Sequence, residues 1–185
     1  MNSAPPPQKT ADAAPAWASS AGQLGAFARG IAAAFGVAGY VLIAGSIGFG
    51  ALVRDMGLGL DFAIWSSIVF YALPAQVILA DQLGRGASVL AAAFAVTLTS
   101  VRLLPMVVTL SPMLRDDRGR RWREILAVHF VAVTAWIEGN RRLGPLPPAL
   151  RLSHFLGFGM TFMGFTALGA TVGYLIAATV PIAIS

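Results

Sequence analysis

The sequence predicts an all-α fold, a polytopic integral membrane bundle of helices. Hydrophobic residues make up 57% of the 185-residue chain, whereas charged residues make up only 11%. Several apolar runs are long enough to cross a hydrocarbon core of about 30 Å. Backbone groups in lipid must pair with each other, and no alternating ten-residue strand pattern occurs, so we expect helices rather than a barrel.

Five hydrophobic segments follow a proline-rich start. Residues 1–25 are rich in Pro, Ala and Ser and predict a disordered tail, and residues 26–185 form the predicted transmembrane domain. The segments are residues 31–53, 62–80, 87–114, 125–137 and 155 to the C-terminus. The fourth has about 13 apolar residues, a length typical of re-entrant pieces rather than full spans. Some segments are therefore expected to be kinked or re-entrant.

The basic residues leave two topologies open. If all five segments cross, six Lys and Arg residues fall on each side, and the positive-inside rule decides nothing. If the fourth segment does not cross, the count becomes nine against three and the N-terminus lies outside. We expect the basic cluster at residues 115–123 to be cytoplasmic.

Two prolines are expected to kink helices inside the membrane. Pro74 lies within the second segment, and Pro105 follows Arg102 by three residues in the third. Proline lacks an N–H and frees a carbonyl. Many secondary transporters build their sites from discontinuous helices at mid-membrane, with helix N-termini facing anions and free carbonyls facing cations. Pro74 and Pro105 are therefore candidate gating residues.

Small residues spaced four apart predict close helix packing. Gly169 and Gly173 form a G-x-x-x-G pattern in the fifth segment, and Ala44 with Gly48 has the same spacing in the first. Such spacing lets neighbouring helices approach closely. A subunit interface, with another chain or another copy of this one, or a substrate path is the alternative interpretation.

Arg102 is a permanent charge inside an apolar run. An ionised side chain there costs roughly 2.5 to 3.5 kcal/mol on insertion scales, so it needs a partner or a role. Its planar fork of donors matches a carboxylate, and Thr99 and Ser100 add hydroxyl groups nearby. The pattern predicts binding of a small carboxylate-bearing solute. Pairing with an acidic residue such as Asp81, or extension of the side chain along the helix towards the membrane surface, is the alternative.

Three further polar residues lie in or beside the apolar segments. Gln76 donates and accepts hydrogen bonds, and either binds substrate or caps freed backbone. His129 is a candidate for proton transfer, with simple packing as the alternative. Glu138 is expected to be an interfacial carboxylate near Arg141 and Arg142.

Several functional classes are disfavoured. The absence of cysteine removes disulfides, thiolate metal sites and a cysteine nucleophile. The sequence pI of about 10.7 reflects basic residues that flank apolar segments, and no basic face interleaved with aromatic residues indicates nucleic-acid binding. Neither G-x-S-x-G nor G-x-x-x-x-G-K-[ST] occurs. We therefore expect no enzyme, metal site, cofactor or nucleic-acid partner.

Four stretches of the sequence carry a family resemblance. They are Gly48-Phe49-Gly50 leading to Arg54-Asp55-Met56-Gly57-Leu58; Tyr71-Ala72-Leu73-Pro74-Ala75-Gln76; Ser100-Val101-Arg102-Leu103-Leu104-Pro105-Met106 followed by Pro112; and Phe155-Leu156-Gly157-Phe158-Gly159-Met160-Thr161. The second resembles an F-A-G-A-S-Q motif, and the third keeps the arginine of N-x-R-H-x-x-Y. Over roughly residues 35–181 the chain resembles the azaleucine-resistance (AzlC-type) branched-chain amino acid permeases of bacteria.

The resemblance implies a multi-pass protein of the bacterial inner membrane. It implies the large subunit of a two-component secondary exporter for valine, leucine, isoleucine and methionine, with a small AzlD-like membrane partner. It favours Arg102 and Gln76 as substrate residues. Members of the family continue with further hydrophobic segments, so the chain is expected to be a short form. A truncated or non-transporting subunit, or a permease for another carboxylate-bearing solute, stays open as an alternative.

Overall fold

The computed structural model describes residues 20–115 and 119–179, where all regular structure is helical, as predicted. The helices are α1 (Ser20–Ala34), α2 (Val37–Asp55), α3 (Leu60–Val69), α4 (Leu73–Gly84), α5 (Val89–Ser100), α6 (Leu103–Leu110), α7 (Arg121–His129), α8 (Val133–Leu143) and α9 (Pro148–Thr179), with a 3-10 helix at Ser111–Leu114 after α6. Of the predicted disordered tail, residues 1–19 lie outside the described residues, and residues 20–25 form the start of α1.

Helices α1 and α2 follow one another alongside α9 and run parallel to it. Gly30 of α1 packs against the backbone of His154 near the start of α9, and Gly173 near its end packs against Ile47 of α2. Gly169 packs against Ser46 in the same way. The predicted close packing through Gly169 and Gly173 is therefore confirmed, because a side chain at either position would meet α2.

Helices α3 and α4 form a hairpin rather than a crossing. Ala63 of α3 shares an apolar cluster with Val53 at the end of α2. The chain then breaks at residues 70–72, and Gly84 at the end of α4 packs against Met56, back at the end of α2. Residues 62–80 therefore do not form one continuous span, since the segment enters and leaves at the same end of the bundle, in agreement with the expectation that some segments are re-entrant.

Helices α5 and α6 form one bent path through the bundle. They meet at 48° around Val101 and Arg102. Pro105 is the third residue of α6, where it has no N–H to donate to the carbonyl of Val101, and that carbonyl accepts the N–H of Leu104 instead. Pro74 likewise lies in the first turn of its helix, α4, where proline suits a helix start.

Helices α7 and α8 form a second hairpin, which enters from the opposite end. Arg123 near the start of α7 donates from Nη2 to Ser153 Oγ near the start of α9 at 3.0 Å. Phe130 at the break packs on Gly159, and Gly139 of α8 packs on Leu110 near the end of α6. The re-entrant alternative for the fourth segment agrees with this path.

Fewer than five spans are found within residues 20–115 and 119–179. Helices α2 and α9 are each long and apolar enough to cross a membrane, and the bent pair of α5 with Leu103–Leu114 makes a third span if taken as one. The two hairpins account for the difference, because each passes only part of the way through the bundle.

Most described arginines lie at the end of the bundle where α1 and α9 begin. They are Arg29, Arg115, Arg120, Arg121, Arg123, Arg141, Arg142 and Arg151. As predicted, Glu138 bonds Arg141 and Arg142, with N–O distances of 3.2 and 2.6 Å. Arg54, stacked on Tyr174, and Arg85 lie at the other end.

Candidate functional site

The breaks of the two hairpins meet inside the bundle. The ring centroids of Tyr71 and Phe130 lie 5.9 Å apart with the rings edge to face. Both side chains are buried. The backbone repeats too, since Ala72 and Ala132 are both extended and each donates its N–H to the carbonyl two residues earlier. The two hairpin tips thus share one local design.

The two tips share a short sequence pattern. Phe-x-Ala-x-x-Ala occurs as Phe70-Tyr71-Ala72-Leu73-Pro74-Ala75 and as Phe130-Val131-Ala132-Val133-Thr134-Ala135, and also as Phe165-Thr166-Ala167-Leu168-Gly169-Ala170 within the unbroken helix α9. Because the hairpins enter from opposite ends, the two tips are inverted relative to each other. Inverted repeats with broken helices at their interface are typical of secondary transporters. The pattern alone does not identify the site, because its third copy lies in a continuous helix.

Cavity 1, of about 340 Å³, lies beside the two tips. Its walls are Leu42, Tyr71, Ala72, Leu73, Pro74, Arg102, Leu103, Ala132, Val133, Thr134 and Thr166. The first residues of α4 and α8 are in this wall, and no side chain caps the start of either helix. The first N–H groups of a helix have no helical partner and carry a partial positive charge. Cavity 1 therefore presents two helix N-termini, of which that of α4 has fewer open N–H groups, because Pro74 has none and Ala75 donates to the Ala72 carbonyl.

Arg102 adds a full positive charge to this wall. It lies at the bend between α5 and α6, and its side chain makes no hydrogen bond or ion pair with any other described residue. Asp81, its predicted alternative partner, instead pairs with Arg85 at 2.6 Å. The guanidinium and the two helix N-termini together favour an anion in cavity 1.

Cavity 2, of about 240 Å³, lies on the other flank of the tips. Tyr71, Ala72 and Leu103 line both cavities, whereas Ser100, Val128 and His129 line only the second. Its wall contains the C-terminal residues of α3 and α7, so the helix ends at this cavity carry carbonyl groups rather than N–H groups. The two cavities consequently have opposite polarity.

The predicted site residues separate into three groups. Arg102 and Pro74 line cavity 1, and Ser100 and His129 line cavity 2. Gln76, Thr99 and Pro105 are in neither lining. Thr134 and Thr166 of cavity 1 were not predicted, because threonines in apolar segments carry no distinctive signal.

Gln76 is fully buried between the halves of the first hairpin. Its Nε2 donates to the Ser66 carbonyl at 3.3 Å, and its Oε1 has no partner among the described residues. Thr99 and Ser100 donate to carbonyls four residues earlier, those of Ala95 and Val96. Gln76 therefore ties α4 to α3 in this structure.

Comparison with known proteins identifies a family. A family model described as AzlC protein matches residues 37–180. The matched range holds both hairpins, the bend at Arg102 and α9. No curated protein and no solved structure matches the chain.

Proposed function

Since the chain belongs to the AzlC protein family, a family of membrane permeases for amino acids, we propose that it exports branched-chain amino acids. The substrates are valine, leucine and isoleucine, and methionine by its similar shape. Export is secondary, driven by an ion gradient, because the sequence carries no phosphate-binding loop.

The observation that carries this proposal is the positive wall of cavity 1. Arg102 and the starts of α4 and α8 surround one space, as a carboxylate requires. Hydrogen bonds to a charged group each contribute about 1.5 to 3 kcal/mol. Because Arg102 has no partner among the described residues, its donors are available to the substrate.

The rest of cavity 1 suits an aliphatic side chain. Leu42, Leu73, Leu103 and Val133 supply apolar wall. Burying a valine or leucine side chain contributes about 1.5 to 3 kcal/mol, and the cavity volume lies within the usual range for small-molecule sites. The pocket thus favours a carboxylate with a small apolar group attached.

The distribution of arginine supports an orientation in the bacterial inner membrane. Eight of the described arginines lie at the end where α1 and α9 begin, and two lie at the other end. By the positive-inside rule, the arginine-rich end faces the cytoplasm. The start of α1 is then cytoplasmic, in contrast to the outside N-terminus predicted from sequence for a re-entrant fourth segment alone.

A small AzlD-like membrane subunit is proposed as the partner. The outer face of α2 supports this, because Val37, Val41, Ala44 and Gly48 are exposed there and Gly48 has no neighbour within 4 Å. Small residues on such a face allow another helix to approach closely.

A second candidate is a permease for another small carboxylate. No acidic side chain is among the residues that line cavity 1, so the described wall recognises a carboxylate more clearly than an ammonium group. Export of dipeptide-derived leucine from bacterial cells, with and without this chain and its small partner, tests the main proposal. Faster efflux that requires both chains supports it. Efflux of 2-oxo acids alone would favour the second candidate.

A further inference from the structure

His129 connects the two hairpins through a hydrogen bond. It is the last residue of α7, and its Nε2 lies 2.8 Å from the carbonyl oxygen of Ile68, in the last turn of α3. A carbonyl oxygen only accepts, so Nε2 carries the hydrogen and donates. The imidazole ring also contacts Phe130 edge to face, with centroids 5.5 Å apart. One side chain thus contacts both hairpins next to their tips.

His129 stands where two helices, α3 and α7, both end. The C-terminus of a helix carries a partial negative charge, which attracts cations. Protonation also turns the bond to Ile68 into a charge-assisted one, which is roughly twice as strong as a neutral one. The proton therefore strengthens the connection between the hairpins.

No other residue of cavity 2 competes for this role. Tyr71 is the other titratable side chain in its wall, and the remaining described lining residues are apolar apart from Ser100. Arg102 follows Ser100 in the chain but lines cavity 1. Histidine is the side chain whose ordinary titration falls between pH 5 and 8.

On the basis of the proposed amino acid export, we propose that His129 binds the proton that drives it. The proton adds to Nδ1 and gives an imidazolium, while the N–H of Nε2 continues to donate its hydrogen bond to the Ile68 carbonyl. Protonation holds the hairpins together through α3 and α7, and loss of the proton weakens that connection. A proton moving inward is exchanged for an amino acid moving outward.

The contacts that couple the proton to the substrate run through the hairpin tips. His129 packs on Phe130, Phe130 packs on Tyr71, and Tyr71 lines cavity 1. A change in the distance between α3 and α7 therefore moves the wall that holds the carboxylate. The two cavities share Tyr71, Ala72 and Leu103, so neither changes shape alone.

The test uses the full chain, with its small partner, in proteoliposomes. Two rates are measured, namely leucine–leucine exchange at equal pH and leucine uptake driven by a pH gradient. His129→Gln keeps an N–H donor for Ile68 and cannot take up a proton. We expect exchange to stay measurable and the gradient stimulation to fall by about tenfold, within the usual range of coupling between two sites.

His154→Gln is the matched control. His154 is the other histidine, and it is buried against the Ala26 carbonyl, outside both linings. We expect it to keep the stimulation. A direct measurement needs no variant, because a pH-sensitive dye reports whether protons cross in the opposite direction to leucine in the wild type.

The outcomes separate this inference from the proposed function. Wild-type exchange without any effect of the pH gradient, or His129→Gln with full stimulation, would overturn the role of His129 and leave amino acid transport intact. No leucine exchange in the wild type would reject the proposed function and the proton site with it. If His129→Gln fails to insert, the dye measurement on the wild type decides whether proton movement is coupled to leucine movement. His129→Asn then takes the place of His129→Gln in the exchange and uptake assays.

Discussion

The ring of Tyr71 meets the ring of Phe130 edge to face with centroids 5.9 Å apart, and this contact joins two hairpins that enter the bundle from opposite ends. Four helix ends consequently lie around one point. Two N-termini and Arg102 face cavity 1, and two C-termini and His129 face cavity 2. Two inverted hairpin tips thereby produce a site with a positive and a negative flank.

The hairpin paths predict a labelling pattern for single cysteines, which the cysteine-free chain makes simple to read. Asp61→Cys and Arg85→Cys flank the first hairpin and should react with a membrane-impermeant thiol reagent from the same, extracytoplasmic side. Arg115→Cys and Gly144→Cys flank the second and should react only from the cytoplasm. Labelling of Asp61→Cys and Arg85→Cys from opposite sides would show that α3 and α4 cross the membrane.

Close packing of α9 on α2 predicts that Gly173→Ala destabilises the protein. A Cβ at Gly173 would collide with the backbone of Ile47, which cannot move aside as a side chain would. Overpacking of this kind typically costs about 1 to 3 kcal/mol. Thermal unfolding of purified protein in detergent should show a lower Tm. Gly164→Ala is the control, since nothing lies within 4 Å of its added methyl group, and its Tm should be no lower than that of the wild type.

The repeat at the tips predicts unequal roles for its two phenylalanines. Phe130 is 2% exposed, whereas the equivalent Phe70 is 39% exposed. Truncating a buried phenylalanine costs about 3 to 5 kcal/mol. Phe130→Ala should therefore lower the Tm much more than Phe70→Ala does. Equal losses in the same thermal assay would contradict the packing of the second tip on Tyr71 and Gly159.

Gln76 offers a direct choice between a structural and a substrate role. It is fully buried, bonds the Ser66 carbonyl and lies outside both linings. We expect Gln76→Ala to lower the Tm, because it removes a buried hydrogen bond and leaves a void, and to leave the concentration dependence of leucine exchange unchanged. A weaker apparent affinity with an unchanged Tm would assign Gln76 to substrate binding instead.

The sequence predicted that the chain forms apolar helices, but it did not predict where the chain reverses within a segment. Hydropathy measures the length of an apolar run, and residues 62–80 are long enough to cross. Their reversal at residues 70–72 depends on contacts such as Gly84 with Met56, which no local pattern encodes. If a hairpin is counted as re-entrant rather than crossing, the arginines that follow it are assigned to the opposite side of the membrane. For this reason the basic residues gave no orientation until the fold was known.

The site was predictable only where a side chain carried the signal. Arg102 stood out because a charge in an apolar run is costly, and it does line cavity 1. The helix starts at Leu73 and Val133 are backbone features, so residue type does not reveal them. Phe-x-Ala-x-x-Ala occurs at both tips but also at residues 165–170 within α9, so the pattern does not by itself mark a broken helix.

Competition against leucine exchange in proteoliposomes tests most directly whether cavity 1 binds a carboxylate. Leucine and leucinamide, which lacks the carboxylate, compete with labelled leucine in the wild type, in Arg102→Gln and in the control Arg85→Gln. The wild type and Arg85→Gln should strongly prefer leucine. Arg102→Gln should bind leucine about ten- to a hundredfold more weakly, as the loss of a charged hydrogen bond predicts, and should lose most of the preference. An unchanged preference in Arg102→Gln would contradict the account.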